Sequence, residues 1–194
     1  MAARPGLLRP AVLKHLPNFL SLLRLAAAPL TAWLILAGHD TAAFLLFAAA
    51  GLSDGLDGFI ARHWRLTSRF GAWLDPAADK LLMLLCFLAL LQVGVTPWWL
   101  VALVILRDLC IVAGAVLARY FAVPLRVEAS LLGKISTAVQ IVYIGGCLLL
   151  RAFELEAPRL LFAAAFTAAV FTLLSGLGYG ASLIRAMTAR RHPA

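Results

Sequence analysis

Four aspartates in one short stretch, SDGLDGFIARHWRLTSRFGAWLDPAADK (Ser53–Lys80), carry the densest chemistry in the chain. Asp54 and Asp57 are spaced i, i+3, and Asp75 and Asp79 are spaced i, i+4, so each pair shares one face if its segment is helical. The surrounding sequence is 63% hydrophobic. Ionised carboxylates are costly in hydrocarbon, so such a group must hold protons or be neutralised by cations. All-oxygen ligands suit hard ions such as Mg²⁺, Mn²⁺ or Ca²⁺. Two divalent ions would balance four carboxylates and form a clamp for a phosphoryl group. Gly55, Gly58 and Gly71 bare the same segments, which admits a ligand or a neighbouring backbone.

Depth supports convergence of the four. If the chain turns near Leu66, Asp57 and Asp75 each lie nine positions from the turn, and Asp54 and Asp79 lie twelve and thirteen away. Each aspartate then meets a counterpart at nearly one depth on an antiparallel neighbour. A purely structural membrane protein gains nothing from four such carboxylates. A cation channel or divalent-cation transporter is the alternative that composition alone leaves open.

The same residues spell D-x2-D-G-x2-A-R-x8-G-x3-D-x3-D, with Asp54, Asp57, Gly58, Ala61, Arg62, Gly71, Asp75 and Asp79 at the fixed positions. In this the chain resembles the CDP-alcohol phosphotransferase family. The resemblance implies a metal-dependent transferase with six membrane helices preceded by an interfacial one. In it a CDP-linked lipid gives its phosphatidyl group to an alcohol and CMP leaves. It further implies that Asp54, Asp57, Asp75 and Asp79 shape a site for two divalent cations, Mg²⁺ or Mn²⁺, and that Asp79 is the base taking the alcohol proton. Asp57, Gly58, Ala61, Arg62 and Gly71 would line the CDP site. The stretch PNFLSLLR (Pro17–Arg24) is similar to the family's N-terminal P-N-x2-T/S-x2-R element, so Asn18 and Arg24 are expected to border the site. The competing reading is an interfacial cap followed by an arginine that snorkels to the headgroups.

The acceptor should be read from other residues. Arg107 and Asp108 lie about twelve residues, roughly 18 Å, from Arg119 along one apolar segment. An intramembrane arginine needs an anion, either an aspartate or the phosphate of a ligand. Arg126 and Lys134 lie near the same headgroup zone. The pairs Arg107–Asp108 and Arg119–Tyr120, with KISTAVQ from Lys134, are most similar to the mitochondrial-type cardiolipin synthases of the family. That implies CDP-diacylglycerol as donor and phosphatidylglycerol as acceptor, with Arg107, Arg126 and Lys134 binding the acceptor. The phosphatidylglycerophosphate synthases are the close rivals, with glycerol 3-phosphate as acceptor. Members of the family resemble one another in forming homodimers, which is the expectation here.

The elements that must position these residues follow from hydropathy. The 194 residues favour one domain, 1–194, and a mean hydropathy of +0.96 with 13% charged residues favours an all-α polytopic membrane fold. A basic amphipathic interfacial segment is expected over 1–16, then six spans near 17–37, 41–63, 71–93, 97–121, 131–150 and 159–183, and a basic tail over 184–194. Lysines and arginines gather at the N-terminus, between spans two and three, between four and five, and in the tail. The positive-inside rule puts those regions and both termini in the cytoplasm, most naturally of a bacterial inner membrane. The net charge of +8 lies at span ends, which fits anionic headgroups and excludes a nucleic-acid domain. Cys86, Cys110 and Cys147 sit in apolar runs without zinc or redox spacing.

Overall fold

The computed structural model describes residues 10–64, 71–120 and 131–191, and the side chains within them for 21–53, 76–120, 131–185 and 188. The described residues form six α-helices and no strand: α1 (Pro10–Leu36), α2 (Asp40–Trp64), α3 (Gly71–Gln92), α4 (Trp98–Tyr120), α5 (Leu131–Ala152) and α6 (Pro158–Arg191). They divide into two compact units, Met1–Ala89 and Leu90–Ala194.

Three connections are short and share one chemistry. At the end of α1, Gly38 has φ 75°, its N–H donates to Ile35 O, and the His39 N–H donates to Leu34 O. Gly94 (φ 74°) repeats this after α3, with bonds from Gly94 N to Leu91 O and from Val95 N to Leu90 O. After α5 the left-handed position is taken by Glu154 (φ 54°), with Glu154 N bonding Arg151 O and Leu155 N bonding Leu150 O. Each is a Schellman closure, in which a left-handed residue lets the last carbonyls find donors. The turn expected near Leu66 and the connection carrying Arg126 lie outside the described residues.

Two helices run past their expected bounds. The break expected between an interfacial segment and the first span at residues 16–17 does not occur, because α1 is continuous from Pro10. Proline removes one backbone bond, and helices in membranes absorb such interruptions. At the other end α6 continues to Arg191 instead of releasing a tail at residue 184. The segment SLIRAMTARR contains neither Gly nor Pro, so nothing there stops the helix.

In the first unit α1 packs along α2. Ala28 and Thr31 of α1 and Ala43 of α2 are fully buried, with Ile35 and Phe47 filling the seam. In the second unit α6 packs against both α4 and α5. Its inward positions are small: Ala165, Ala168, Ala169, Thr172 and Ser175. Gly114 of α4 permits the closest approach, since a Cβ there would stand 2.7 Å from Tyr179 Cε1. Large apolar side chains face outward instead, among them Leu106, Leu109, Val112 and Val116 of α4. Small and polar residues along the inward face of α6 fit the close contacts of helices that associate in lipid. By length and hydropathy α4, α5 and Pro158–Arg185 of α6 suffice to cross a bilayer.

Candidate active site

Helix α2 is unbroken through Asp54, Asp57, Gly58, Ala61 and Arg62, and α3 through Gly71, Asp75 and Asp79. The i, i+3 and i, i+4 spacings therefore act on real helices, and each aspartate pair occupies one helix face. Of these residues only Asp79 has a described side chain; those of Asp54, Asp57, Ala61, Arg62 and Asp75 lie outside, as does that of Asn18 on α1. Among the described residues no three His, Cys, Asp or Glu side chains group together.

Asp79 and Arg24 meet. The Arg24 guanidinium donates from Nη1 to Asp79 Oδ1 at 2.6 Å, joining α1 to α3 across 55 positions of sequence. The Arg24 side chain is 3% exposed and that of Asp79 41%. Arg24 is thus not the snorkelling arginine of the competing reading: its head is inside the unit. Its carboxylate partner is half open and reaches the outside of the unit. The charge-assisted bond is strong and directional, and it fixes where the carboxylate points.

The second unit holds another buried arginine. Arg107 on α4 donates from Nη1 to Asp108 Oδ1 and from Nη2 to Ser175 Oγ on α6, both at 2.7 Å. Its Nε is buried with no hydrogen-bond partner among the described residues. Its stem passes beside Gly176, where a Cβ would make ordinary contact with Arg107 Cγ at 3.6 Å. The anion that an intramembrane arginine requires is therefore supplied by the adjacent aspartate. Lys134 is exposed in the first turn of α5, and Arg126 lies outside the described residues.

Sequence reasoning missed the polar partners on α6. One turn before Ser175, Thr172 accepts from Gln140 Nε2 at 2.9 Å and donates to Ala168 O at 2.7 Å. Ser136 stands beside them, buried, and accepts a longer bond from Gln140 at 3.4 Å. Near the start of α4 the Tyr143 hydroxyl donates to Thr96 Oγ1 at 3.2 Å. An isolated Ser or Thr in an apolar run carries no sequence signal for this, because the same residue facing lipid can bond its own helix at i−4.

The sequence profile of CDP-alcohol phosphatidyltransferases matches residues 14–175, which takes in Arg24, the whole aspartate motif, the Arg107–Asp108 pair and Ser175. The chain belongs to the CDP-alcohol phosphatidyltransferase family. Its similarity reaches both acceptor types within the family. A probable cardiolipin synthase (CMP-forming) of Drosophila melanogaster is 36% identical over 67% of this chain and 45% of its own length. A cardiolipin synthase (CMP-forming) of Streptomyces coelicolor is 39% identical over 63% of this chain and 59% of its own. A probable phosphatidylglycerophosphate synthase of Mycobacterium tuberculosis is 35% identical over 90% of this chain and 84% of its own. This CDP-alcohol phosphatidyltransferase spans about half the length of the animal cardiolipin synthases it matches.

Proposed function

We propose that this CDP-alcohol phosphatidyltransferase transfers the phosphatidyl group of CDP-diacylglycerol to the free hydroxyl of phosphatidylglycerol, giving cardiolipin and CMP. The observation that carries the reading is the Arg24–Asp79 bond, by which two separate family elements converge on the carboxylate assigned as base. The hydroxyl oxygen of the acceptor forms a bond to the phosphorus that bears the diacylglycerol. The bond from that phosphorus to CMP breaks, and Asp79 takes the hydroxyl proton. Arg24 holds that carboxylate in place. Asp57, Gly58, Ala61, Arg62 and Gly71 line the CDP site.

The donor set Asp54, Asp57, Asp75 and Asp79 is all oxygen and fourfold negative, which fits two Mg²⁺ or Mn²⁺ ions. When bound, such ions supply neutralisation of the pyrophosphate and of the departing CMP. The six helices all span, with the N-terminal part of α1 in the interface, both termini and the site on the cytoplasmic side of a bacterial inner membrane, and two copies forming a homodimer. Support for the membrane setting comes from the three long apolar helices and the large apolar side chains they turn outward.

For the acceptor, Arg107, Arg126 and Lys134 recognise phosphate. Arg107 is already largely offset by Asp108, and its Nε still lacks a hydrogen-bond partner among the described residues. That suits the single charge of a phosphodiester, as in phosphatidylglycerol, better than the dianion of glycerol 3-phosphate. A second reading, phosphatidylglycerophosphate synthesis, is favoured by the near full-length match to the mycobacterial relative. The deciding experiment offers the purified protein CDP-diacylglycerol with phosphatidylglycerol and glycerol 3-phosphate together and identifies the lipid product by mass. Cardiolipin is expected, and phosphatidylglycerophosphate alone would overturn the assignment. Rigorous chelation should abolish turnover and Mg²⁺ or Mn²⁺ restore it; full activity after chelation would remove the metals from the account.

A further inference from the structure

At the end of the second unit where α4 and α6 begin and α5 ends, a cavity of about 650 Å³ opens among the two short connections. Its walls include Gly94, Pro97, Arg151 and Glu156. Beside it, a groove of about 480 Å³ runs between α5 and α6. Leu150 and Leu161 line both, so the two adjoin. The groove extends along α5 from Leu150 back to Ala138, about 18 Å at 1.5 Å per residue. Its lining is apolar apart from two hydroxyls, and both are engaged: Thr167 donates to Ala163 O and Tyr143 to Thr96. A Cβ added at Gly146, on the groove wall, would meet nothing within 4 Å.

Size and charge together select an occupant. The groove is narrow and elongated, about 480 Å³ spread over about 18 Å. Its elongated, apolar shape suits one extended hydrocarbon chain. Its length matches the hydrocarbon of one leaflet, about half of a ~30 Å core. The mouth is electrically balanced, with a guanidinium (Arg151) and a carboxylate (Glu156) both on the cavity wall. A headgroup carrying one phosphate and one ammonium answers both, and a purely anionic one meets Glu156 with like charge.

We infer that this end of the α5–α6 pair is a binding site for a zwitterionic aminophospholipid. Its phosphate lies at Arg151, its ammonium at Glu156, and one acyl chain lies in the groove past Gly146. The inference rests on the second unit crossing a bilayer and is independent of which acceptor the enzyme uses. The lipid is neither donor nor acceptor in the proposed reaction, as neither of those carries an ammonium group.

The test uses the full chain, purified in detergent and exposed to equal amounts of phosphatidylethanolamine and phosphatidylglycerol with identical acyl chains. Native mass spectrometry reads the lipid retained. One phosphatidylethanolamine per chain is expected, at least fivefold over phosphatidylglycerol. Glu156→Gln should reduce that ratio at least threefold. Gly146→Trp should fill the groove and cut retention about tenfold, while Gly146→Ala leaves it unchanged. If Gly146→Trp lowers the unfolding temperature, Gly146→Leu and Glu156→Gln decide instead. Equal retention of both lipids by the wild type, or a ratio unmoved by Glu156→Gln, overturns the site. Unchanged lipid retention in a Gly146→Trp protein that has lost self-association also overturns it and assigns the groove to a second copy of the chain.

Discussion

The bond between Arg24 and Asp79 makes an asymmetric prediction. The two side chains share one contact at 2.6 Å but not one environment, being 3% and 41% exposed. Removing one partner of a buried ion pair costs about 3–5 kcal/mol when the survivor stays buried with its charge uncompensated. When the survivor is open to solvent, water takes over and the cost falls to about 1 kcal/mol or less. Asp79→Ala takes a counter-charge from the buried guanidinium. Its cost, reduced because the lost carboxylate was itself partly solvated, is about 2–3 kcal/mol. Arg24→Met retains the buried stem of the side chain and takes the cation only from the half-exposed carboxylate, for about 1 kcal/mol. For a chain of this size 1 kcal/mol shifts the unfolding midpoint by about 2–4 °C. Tryptophan fluorescence during thermal unfolding in one fixed detergent should therefore show Asp79→Ala falling about twice as far as Arg24→Met. The double variant should fall by less than the sum of the two, because the pair acts as a unit. Equal losses, a larger loss for Arg24→Met, or full additivity would refute the claim that Arg24 is the buried member of a coupled pair.

Other outcomes follow from the same contacts. Asp79→Asn keeps an acceptor oxygen for Arg24 but not the charge, so the protein should lose less stability than Asp79→Ala yet make no lipid product; substantial turnover would remove Asp79 as the base. Ser175→Ala deletes a bond to a buried charged group, worth about 1.5–3 kcal/mol. Where Arg107 serves the acceptor, it should raise the KM for acceptor about tenfold with the KM for CDP-diacylglycerol unchanged, and Ser175→Thr should restore much of it. Equal changes in both constants would make Ser175 a packing residue only. Gly114→Ala drives a methyl to 2.7 Å from the Tyr179 ring, which must shift and loosen its bond to Ile111 O. That should cost about 1–3 kcal/mol, and Tyr179→Ala in the same chain should recover part of it; an unperturbed melting curve for Gly114→Ala would contradict the close α4–α6 approach.

Helix ends were legible wherever the chain carries its own punctuation. Gly38, Gly94, Pro97 and Pro158 mark boundaries that fall within a residue or two of the hydropathy limits. Where no glycine or proline stands, at the end of α6, apolar content stops but the helix does not, since hydropathy measures solvent preference and not backbone conformation. The aspartate motif stands out in the sequence, because charged residues inside apolar sequence are costly to keep without a function. Its helices are continuous as its spacing requires.

What sequence could not determine is how each helix is turned about its own axis. In a soluble helix the apolar stripe reveals the inward face, but α6 is apolar on every side and declares none. Only packing selects Thr172 and Ser175 as the inward residues, because their small side chains let α4 and α5 approach and their hydroxyls meet Gln140 and Arg107. The same holds for Arg24, which by sequence was equally a headgroup anchor or a neighbour of the site. Its partner stands 55 residues away, and only the folded first unit brings the carboxylate within 2.6 Å. The signature residues at their fixed spacing carried the family resemblance by themselves, and the shared helix faces of the aspartates pointed to the kind of chemistry expected. Which cation meets which anion was decided by tertiary structure alone, because that depends on the rotation and depth of one helix against another.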